Sequence, residues 1–330
     1  MLDKALAEHY AYPAINVLQI DTLNAAIEGF AAAHSDGIVQ ISVAAGTHTS
    51  GKASDSVLGA ITLAEHAHRV ARKYGITIAI HSDHCPTPKV DTFLKPLIAE
   101  TVRRRSGGQP ALFQSHMYDG SALPLSENLR HAAALLELCR DNEIVLEVEA
   151  GVVGGEEDGL RAEARDKKLY SSPEDMIAVY EALQPVGGRY MLAAAFGNVH
   201  GVYKPGHVQL QPGILQAGQD ALTAKYGKNA RLWLVFHGGS GSSVDEIRET
   251  IRYGVIKMNI HTDTQYAFTR AVADHMFRHY DGVLKIDGEV GTKQDYLAST
   301  WLDLGKEAMA ARVVEACEVL GSAGKSISAT

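Results

Sequence analysis

The sequence predicts an α/β chain folded as a single (β/α)8 (TIM) barrel over residues 1–330, with a helical C-terminal segment near 297–320. Three observations predict it. Eight short β-rich runs alternate with helix-patterned stretches. Most runs are nearly continuous in apolar residues, as in parallel strands covered on both faces. Polar residues gather at the C-terminal side of nearly every run, the end on which barrel enzymes build their sites.

The runs span 12–17, 38–42, 76–82, 111–117, 144–150, 189–196, 232–237 and 255–260. Between them, residues 57–74 place Leu58, Ile61, Ala64, Ala67 and Val70 at near-helical spacing. A helix over 126–140 takes Ser126 as its N-cap, and one over 173–183 opens with Pro173 after Ser172. An open doubly wound sheet is the alternative. It calls for a glycine-rich turn after the first strand, where this chain has LQIDTL. No linker or composition break marks a domain boundary. Residues 151–170 hold four glycines and many charges, and read as either a mobile lid over the site or a solvated insertion.

Bulk composition narrows the function. Apolar residues make up 46% and charged residues 21%, an ordinary globular balance. The net charge of −8 and the lack of a basic run argue against nucleic acid as the main partner. No stretch approaches the ~20 apolar residues that cross a bilayer. Cys85, Cys139 and Cys317 are widely spaced and form no disulfide framework, so the reading is a soluble, cytoplasmic chain.

The strand-end clusters carry the chemistry. They are Asn16; Ser42; His81-Ser82-Asp83-His84; Ser115-His116-Met117-Tyr118-Asp119; Glu147 and Glu149; Asn198-Val199-His200; His237 to Gly241; and Asn259 to Asp263. His84, His200 and His237 end three different strands, and three imidazoles with an open position make a catalytic metal site. Asp119 and Glu149 can support that metal or hold it in a second position. Strict alternation aims Asp83 and His84 to opposite sides, so both reach one site only if the strand ends there, ahead of Pro86. HGGSGSS at 237–243 precedes a helix starting near Val244 and reads as an anion cradle or a flexible turn, with Lys204 adding a nearby charge. Asp83 and the pair Glu156-Glu157 are the acid/base candidates.

Together these motifs resemble the class II fructose-1,6-bisphosphate aldolases. PAIN (13–16), HSDHCP (81–86), FQSHMYDGS (113–121), LEVEAGVVGGEEDG (146–159), AAAFGNVHGVYKPG (193–206), FHGGSG (236–241) and YGVIKMN (253–259) carry the resemblance, with TDTQYAFTR and YDGVLKIDGEVG after them. It implies reversible aldol cleavage of a ketose 1-phosphate to dihydroxyacetone phosphate and an aldehyde. It implies His84, His200 and His237 as zinc ligands, with Asp119 and Glu149 tied to an alternative metal position. Asp83 is implied as the acid/base at the aldehyde oxygen, and Glu157, beside Glu156, as the one at carbon. Gly201, Lys204, Gly238, Ser240 and Thr262 match the phosphate site; Asn259, Asn16 and Ser42 match substrate contacts. His261 stands among them as a further substrate-binding candidate. The family also uses a monovalent cation, Na+ or K+, near the phosphate and commonly forms homodimers. The chemistry is consistent: breaking the C3–C4 bond leaves a carbanion whose charge a Lewis acid helps to spread.

Three departures bear on substrate. Ala44 and Ala45 stand where the family usually has a glycine pair, and His261 where it usually has Asp. Where the family has an Asp-Pro-Arg motif this chain has DYLASTW, with Ser299 at about the arginine position. Losing a bidentate guanidinium–phosphate contact costs on the order of 2 kcal/mol. Either another cation such as Lys293 replaces it, or the substrate is a ketose 1-phosphate without a distal phosphate. Rival classes are a Schiff-base aldolase using Lys257, a metal-dependent barrel hydrolase, and a non-catalytic sugar-phosphate sensor.

Overall fold

The computed structural model describes residues 1–150, 154–157, 160–162, 170–200, 210–239, 241–284 and 290–329, with backbone alone at 154–157, 160–162, 199–200 and 329. Eight parallel strands close into a barrel in the order β1 (Tyr12–Asn16), β2 (Gly37–Ser42), β3 (Ile78–Pro86), β4 (Ser115–Asp119), β5 (Val145–Ala150), β8 (Tyr190–Ala194), β10 (Trp233–Phe236) and β11 (Val255–Ile260). A separate three-stranded sheet orders β7 (Leu160–Ala162), β6 (Gly154–Glu157) and β9 (Val199–His200). The barrel is thus borne out over the doubly wound alternative.

Every residue of β1, β2 and β11 is buried, which explains their continuous runs. Alternate residues face two environments. Ile15, Val39, Ile41, Leu146 and Leu234 join the core between strands and outer helices. Tyr12, Ala14, Ile38, Met191, Ala193 and Val235 form a second cluster with Ala5 of the short helix α1 (Leu2–Ala7). Continuing the second parity up each strand gives Asn16, Gln40, Asp83, Glu147, Glu149 and His237, and in β11 a register shift against β10 just after Ile256 brings Lys257 and Asn259 to the same interior. The barrel interior is therefore apolar near α1 and becomes polar toward its C-terminal mouth.

The helical stops and starts follow local chemistry. α7 (Pro173–Leu183) opens at Pro173 after Ser172, as expected from the sequence, and Ser172 and Asp175 form a reciprocal capping box. In α9 (Val244–Arg252), Ser243 and Glu246 do the same. Ser126 is not a cap: α6 runs Leu125–Asp141 with Pro124 before it, so Ser126 lies within the first turn. Strand boundaries also shift: β3 runs Ile78–Pro86 against the expected 76–82, and β4 Ser115–Asp119 against 111–117. The C-terminal helix α13 (Ala298–Leu320) matches the expected segment. It presses on α2 (Ile20–Ala32) at Gly29, where an added Cβ would lie 2.6 Å from the Val313 Cβ.

Past α13 the tail is clamped by one buried carboxylate. Asp36 accepts from the Thr77 amide (2.8 Å), the Ser326 hydroxyl (2.7 Å) and the Ile327 amide (2.8 Å). Asp36→Ala leaves three donors without their acceptor at a fully buried position, and is expected to lower unfolding stability by about 3 kcal/mol in urea titration. A loss below ~1 kcal/mol would show that water replaces the carboxylate there.

Candidate active site at the mouth of the barrel

The site begins with an irregularity in β3. Its pairing with β2 is regular through Ser42 and Asp83, but against β4 the register jumps from Ser82–His116 to Cys85–Tyr118. His84 takes φ +33°, in the left-handed region that non-glycine residues avoid at a cost of roughly 1–3 kcal/mol. The strand does not end before Pro86, contrary to the expectation from sequence. A bulge does the work instead, placing an extra residue in β3 so that Asp83 and His84 both reach the mouth.

His84 and His237 lie with ring centroids 4.9 Å apart. His84 Nδ1 donates to Asp119 Oδ2 at 3.1 Å and lies 3.9 Å from Glu149 Oε2. His237 Nδ1 donates to the same Glu149 oxygen at 3.2 Å, and its Nε2 to Glu147 Oε1 at 2.8 Å. Burial alone would lower the His237 imidazole, but its bonds to Glu147 and Glu149 raise it to about 9. Burial would raise the Asp119 carboxyl, but hydrogen bonds from His84 and Ser121 hold it well below the usual range. Such anionic acceptors around two imidazoles suit a divalent cation that replaces the bridging protons. Among the described residues, one atom from each of His84, Glu149 and His237 lies within 4.8 Å of the others, which fits a metal site.

Asp83 anchors the other half. Asn16 Nδ2 donates to its Oδ2 at 2.6 Å and Asn259 Nδ2 approaches its Oδ1 at 3.5 Å. Gln40 Nε2 in turn donates to Asn16 Oδ1 at 2.8 Å. Behind them the fully buried Lys257 donates to Asn259 Oδ1 (2.6 Å) and Glu147 Oε2 (2.8 Å). Burial would raise Glu147, but Lys257, His81 and His237 outweigh it and keep the carboxyl well below its usual range. His81 is pushed well below the usual histidine range by burial and by Lys257.

The structure thus brings together Asn16, Asp83, His84, Asp119, Glu149, His237 and Asn259. Ser42 is the N-cap of α3 (Val43–Thr49), its hydroxyl accepting from the Ala45 amide at 3.2 Å. Gly238 adopts φ +60° just after β10, a conformation that suits an amide-lined turn. His261 and Thr262 form the start of α10 (Thr262–Arg278). The backbone of β9 sets His200 beside Gly155 of β6, the strand that carries Glu156 and Glu157. The side chains of those three residues, and all of Gly201, Lys204 and Ser240, lie outside what the structure describes, as does most of 151–170. Sequence reasoning underrated Gln40, His81, Glu147 and Lys257. The available signal was period-two spacing, Glu147 with Glu149 and Lys257 with Asn259.

A parallel barrel with imidazoles, carboxylates and a hydrogen-bonded aspartate at its C-terminal mouth is the architecture of a metal-assisted barrel enzyme. The family model described as fructose-bisphosphate aldolase class-II matches residues 1–325. A Streptomyces galbus fructose-bisphosphate aldolase is 55% identical, over 99% of this chain and 96% of its own. The Mycobacterium tuberculosis enzyme of the same name is 53% identical, again over 99% and 96%. A crystal structure of the Campylobacter jejuni fructose-bisphosphate aldolase superimposes with TM-score 0.86 at 36% identity, covering 98% of this chain and 94% of that one. The chain belongs to the class II fructose-bisphosphate aldolase family, enzymes that break and form carbon–carbon bonds. These relatives do not favour the alternative substrate without a distal phosphate.

Lys257, the Schiff-base candidate, is held as an ion pair inside the barrel. Borohydride added during turnover is therefore expected to leave Lys257 unmodified by peptide mass spectrometry. A reduced substrate adduct on that lysine would restore the Schiff-base reading.

Proposed function

We propose that this chain, acting as one barrel domain, catalyses the metal-dependent, reversible cleavage of fructose 1,6-bisphosphate to dihydroxyacetone phosphate and an aldehyde phosphate. The observation that carries the reading is the β3 bulge, which sets a doubly amide-bonded aspartate next to a metal-type imidazole. His84, His200 and His237 would hold the ion, zinc in this reading, with Glu149 and Asp119 close by. When bound, the ion supplies Lewis-acid polarisation of the substrate carbonyl. Asp83, steered by Asn16 and Asn259, takes the proton from the C4 hydroxyl in cleavage and returns it in condensation. Glu157, beside Glu156 in the 151–170 lid, moves the proton at the carbon of the three-carbon product, and the lid excludes water meanwhile.

The turn after β10, with Gly238 and Ser240, and the start of α10 at Thr262, with His261 before it, would hold the 1-phosphate through backbone amides and the helix dipole. Gly201 and Lys204 would add to that grip, a monovalent cation would sit beside it, and Ser42 would contact substrate from the start of α3. Ser299 is exposed in the first turn of α13, so the distal phosphate would rely on another cation, Lys293 being the candidate. The chain would work as a homodimer in the cytoplasm. No described helix is long and apolar enough to cross a membrane.

The direct test compares the zinc-loaded and chelator-treated chain on fructose 1,6-bisphosphate and fructose 1-phosphate. Chelation is expected to cost at least ~100-fold in kcat, restored by zinc, with kcat/KM at least about tenfold higher for the bisphosphate. Equal or better turnover of fructose 1-phosphate would refute the substrate, and full activity without the ion would refute the mechanism. Asp83→Ala is expected to lower kcat by roughly 10²–10³-fold while the chain still binds one zinc, read by metal analysis. Near-normal turnover would remove Asp83 from the proton-transfer role.

A further inference from the structure

Lys257 is fully buried, far from any need for a surface charge, and an ammonium can only donate. That one-sidedness settles two orientations. Because Lys257 Nζ bonds Asn259 Oδ1 at 2.6 Å, the amide nitrogen of Asn259 must turn the other way, toward Asp83. Because it also bonds Glu147 Oε2 at 2.8 Å, Glu147 is fixed with Oε1 against His237 Nε2. The proton is thereby kept on Nε2, and Nδ1 is the His237 nitrogen presented toward Glu149 and His84.

We propose that Lys257 is a positioning residue that sets both halves of the site at once: through Glu147 it selects the His237 nitrogen offered to the metal, and through Asn259 it aims an amide donor at Asp83. This rests on the aldolase reading of the site. Lys257 forms no bond to substrate; it acts through the two side chains it holds. A change at Lys257 therefore reaches both halves together.

Lys257→Met alone strands the Glu147 carboxylate in the barrel, so the variant of choice is K257M combined with E147Q, which keeps the interior neutral. It is expected to lower kcat about 100-fold at saturating zinc while KM for fructose 1,6-bisphosphate changes less than about threefold. Its zinc Kd, measured by competition with a chromophoric chelator, is expected to rise about tenfold. In an Asn259→Ala background the same pair of changes is expected to cost less than about threefold in kcat, since the amide it aims is gone. Equal losses in both backgrounds would mean a merely structural ion pair, and wild-type kcat and zinc affinity in the combined variant would overturn the proposal outright. Should that variant not fold, long-range 1H–15N spectra of the zinc-loaded wild-type chain decide. A proton on His237 Nε2 supports the proposal, and one on Nδ1 overturns it. Wild-type chain without zinc-dependent cleavage would instead sink the aldolase reading itself.

Discussion

A charge that has left water must be paired, and the Lys257–Glu147 contact at the heart of the barrel obeys that constraint. Two fully buried ions lose hydration worth several kcal/mol each, so the pair is not retained for raw stability. Its value lies in direction. Each member has hydrogen-bonding capacity to spare, and every group that meets it, His81, His237 and Asn259, must adopt the complementary orientation. Order then spreads outward along hydrogen bonds, from Glu147 to His237 and Glu149, with His84 3.9 Å from the same Glu149 oxygen, and from Asn259 to Asp83, Asn16 and Gln40. A site so connected is preorganised: its donors hold the Asp83 and Glu147 carboxylates in fixed orientations.

Backbone geometry supplies what side-chain bonding cannot. Period-two alternation would send Asp83 and His84 to opposite faces. The bulge breaks that alternation at one place, and the left-handed His84 is the local cost. Asp119, bonded to both the Ser121 amide and its hydroxyl, fixes the partner that receives His84 on β4. In the separate sheet β9 pairs with β6 and so ties the His200 segment to the strand bearing Glu156 and Glu157.

Much of this was legible in the sequence because burial on both faces writes a plain signal. The runs AINV, IVQIS and VIKMNI announce parallel strands, and Ser172-Pro173 announces a helix start. The failures share a cause. β3 was cut short because HSDHC is polar, yet all but His84 of those five residues are buried within the strand. Polarity ordinarily marks the end of a strand; in this barrel the interior itself is polar at that depth, satisfied by His116, Ser115 and the Asn pair. The Ser126 cap failed because Pro124 already fixes an entry into the helix that needs no side-chain acceptor. From sequence Lys257 reads as a candidate nucleophile, because a lone strand lysine carries no record of what it faces. Only the closed barrel brings Glu147, more than a hundred residues away in sequence, within 2.8 Å of it.

The same connectivity explains where the chain can differ from the pattern it resembles. Ala44 is exposed on α3, and Ser42 reaches the helix through its own hydroxyl and the Ala45 amide, so methyl groups there leave the buried network untouched. His261 caps α10 with its carbonyl, which accepts from the Gln265 amide (3.1 Å) and the Thr264 hydroxyl (2.9 Å), leaving the identity of its side chain open. Ser299 is exposed on α13. None of these positions hydrogen-bonds to Lys257, Glu147 or Asp83 in the network described above. A substitution inside that network strands a donor or a charge and costs several kcal/mol, whereas one at Ala44, His261 or Ser299 leaves those buried partners in place. Burial therefore constrains the network, and these outer positions are where the sequence is free to vary.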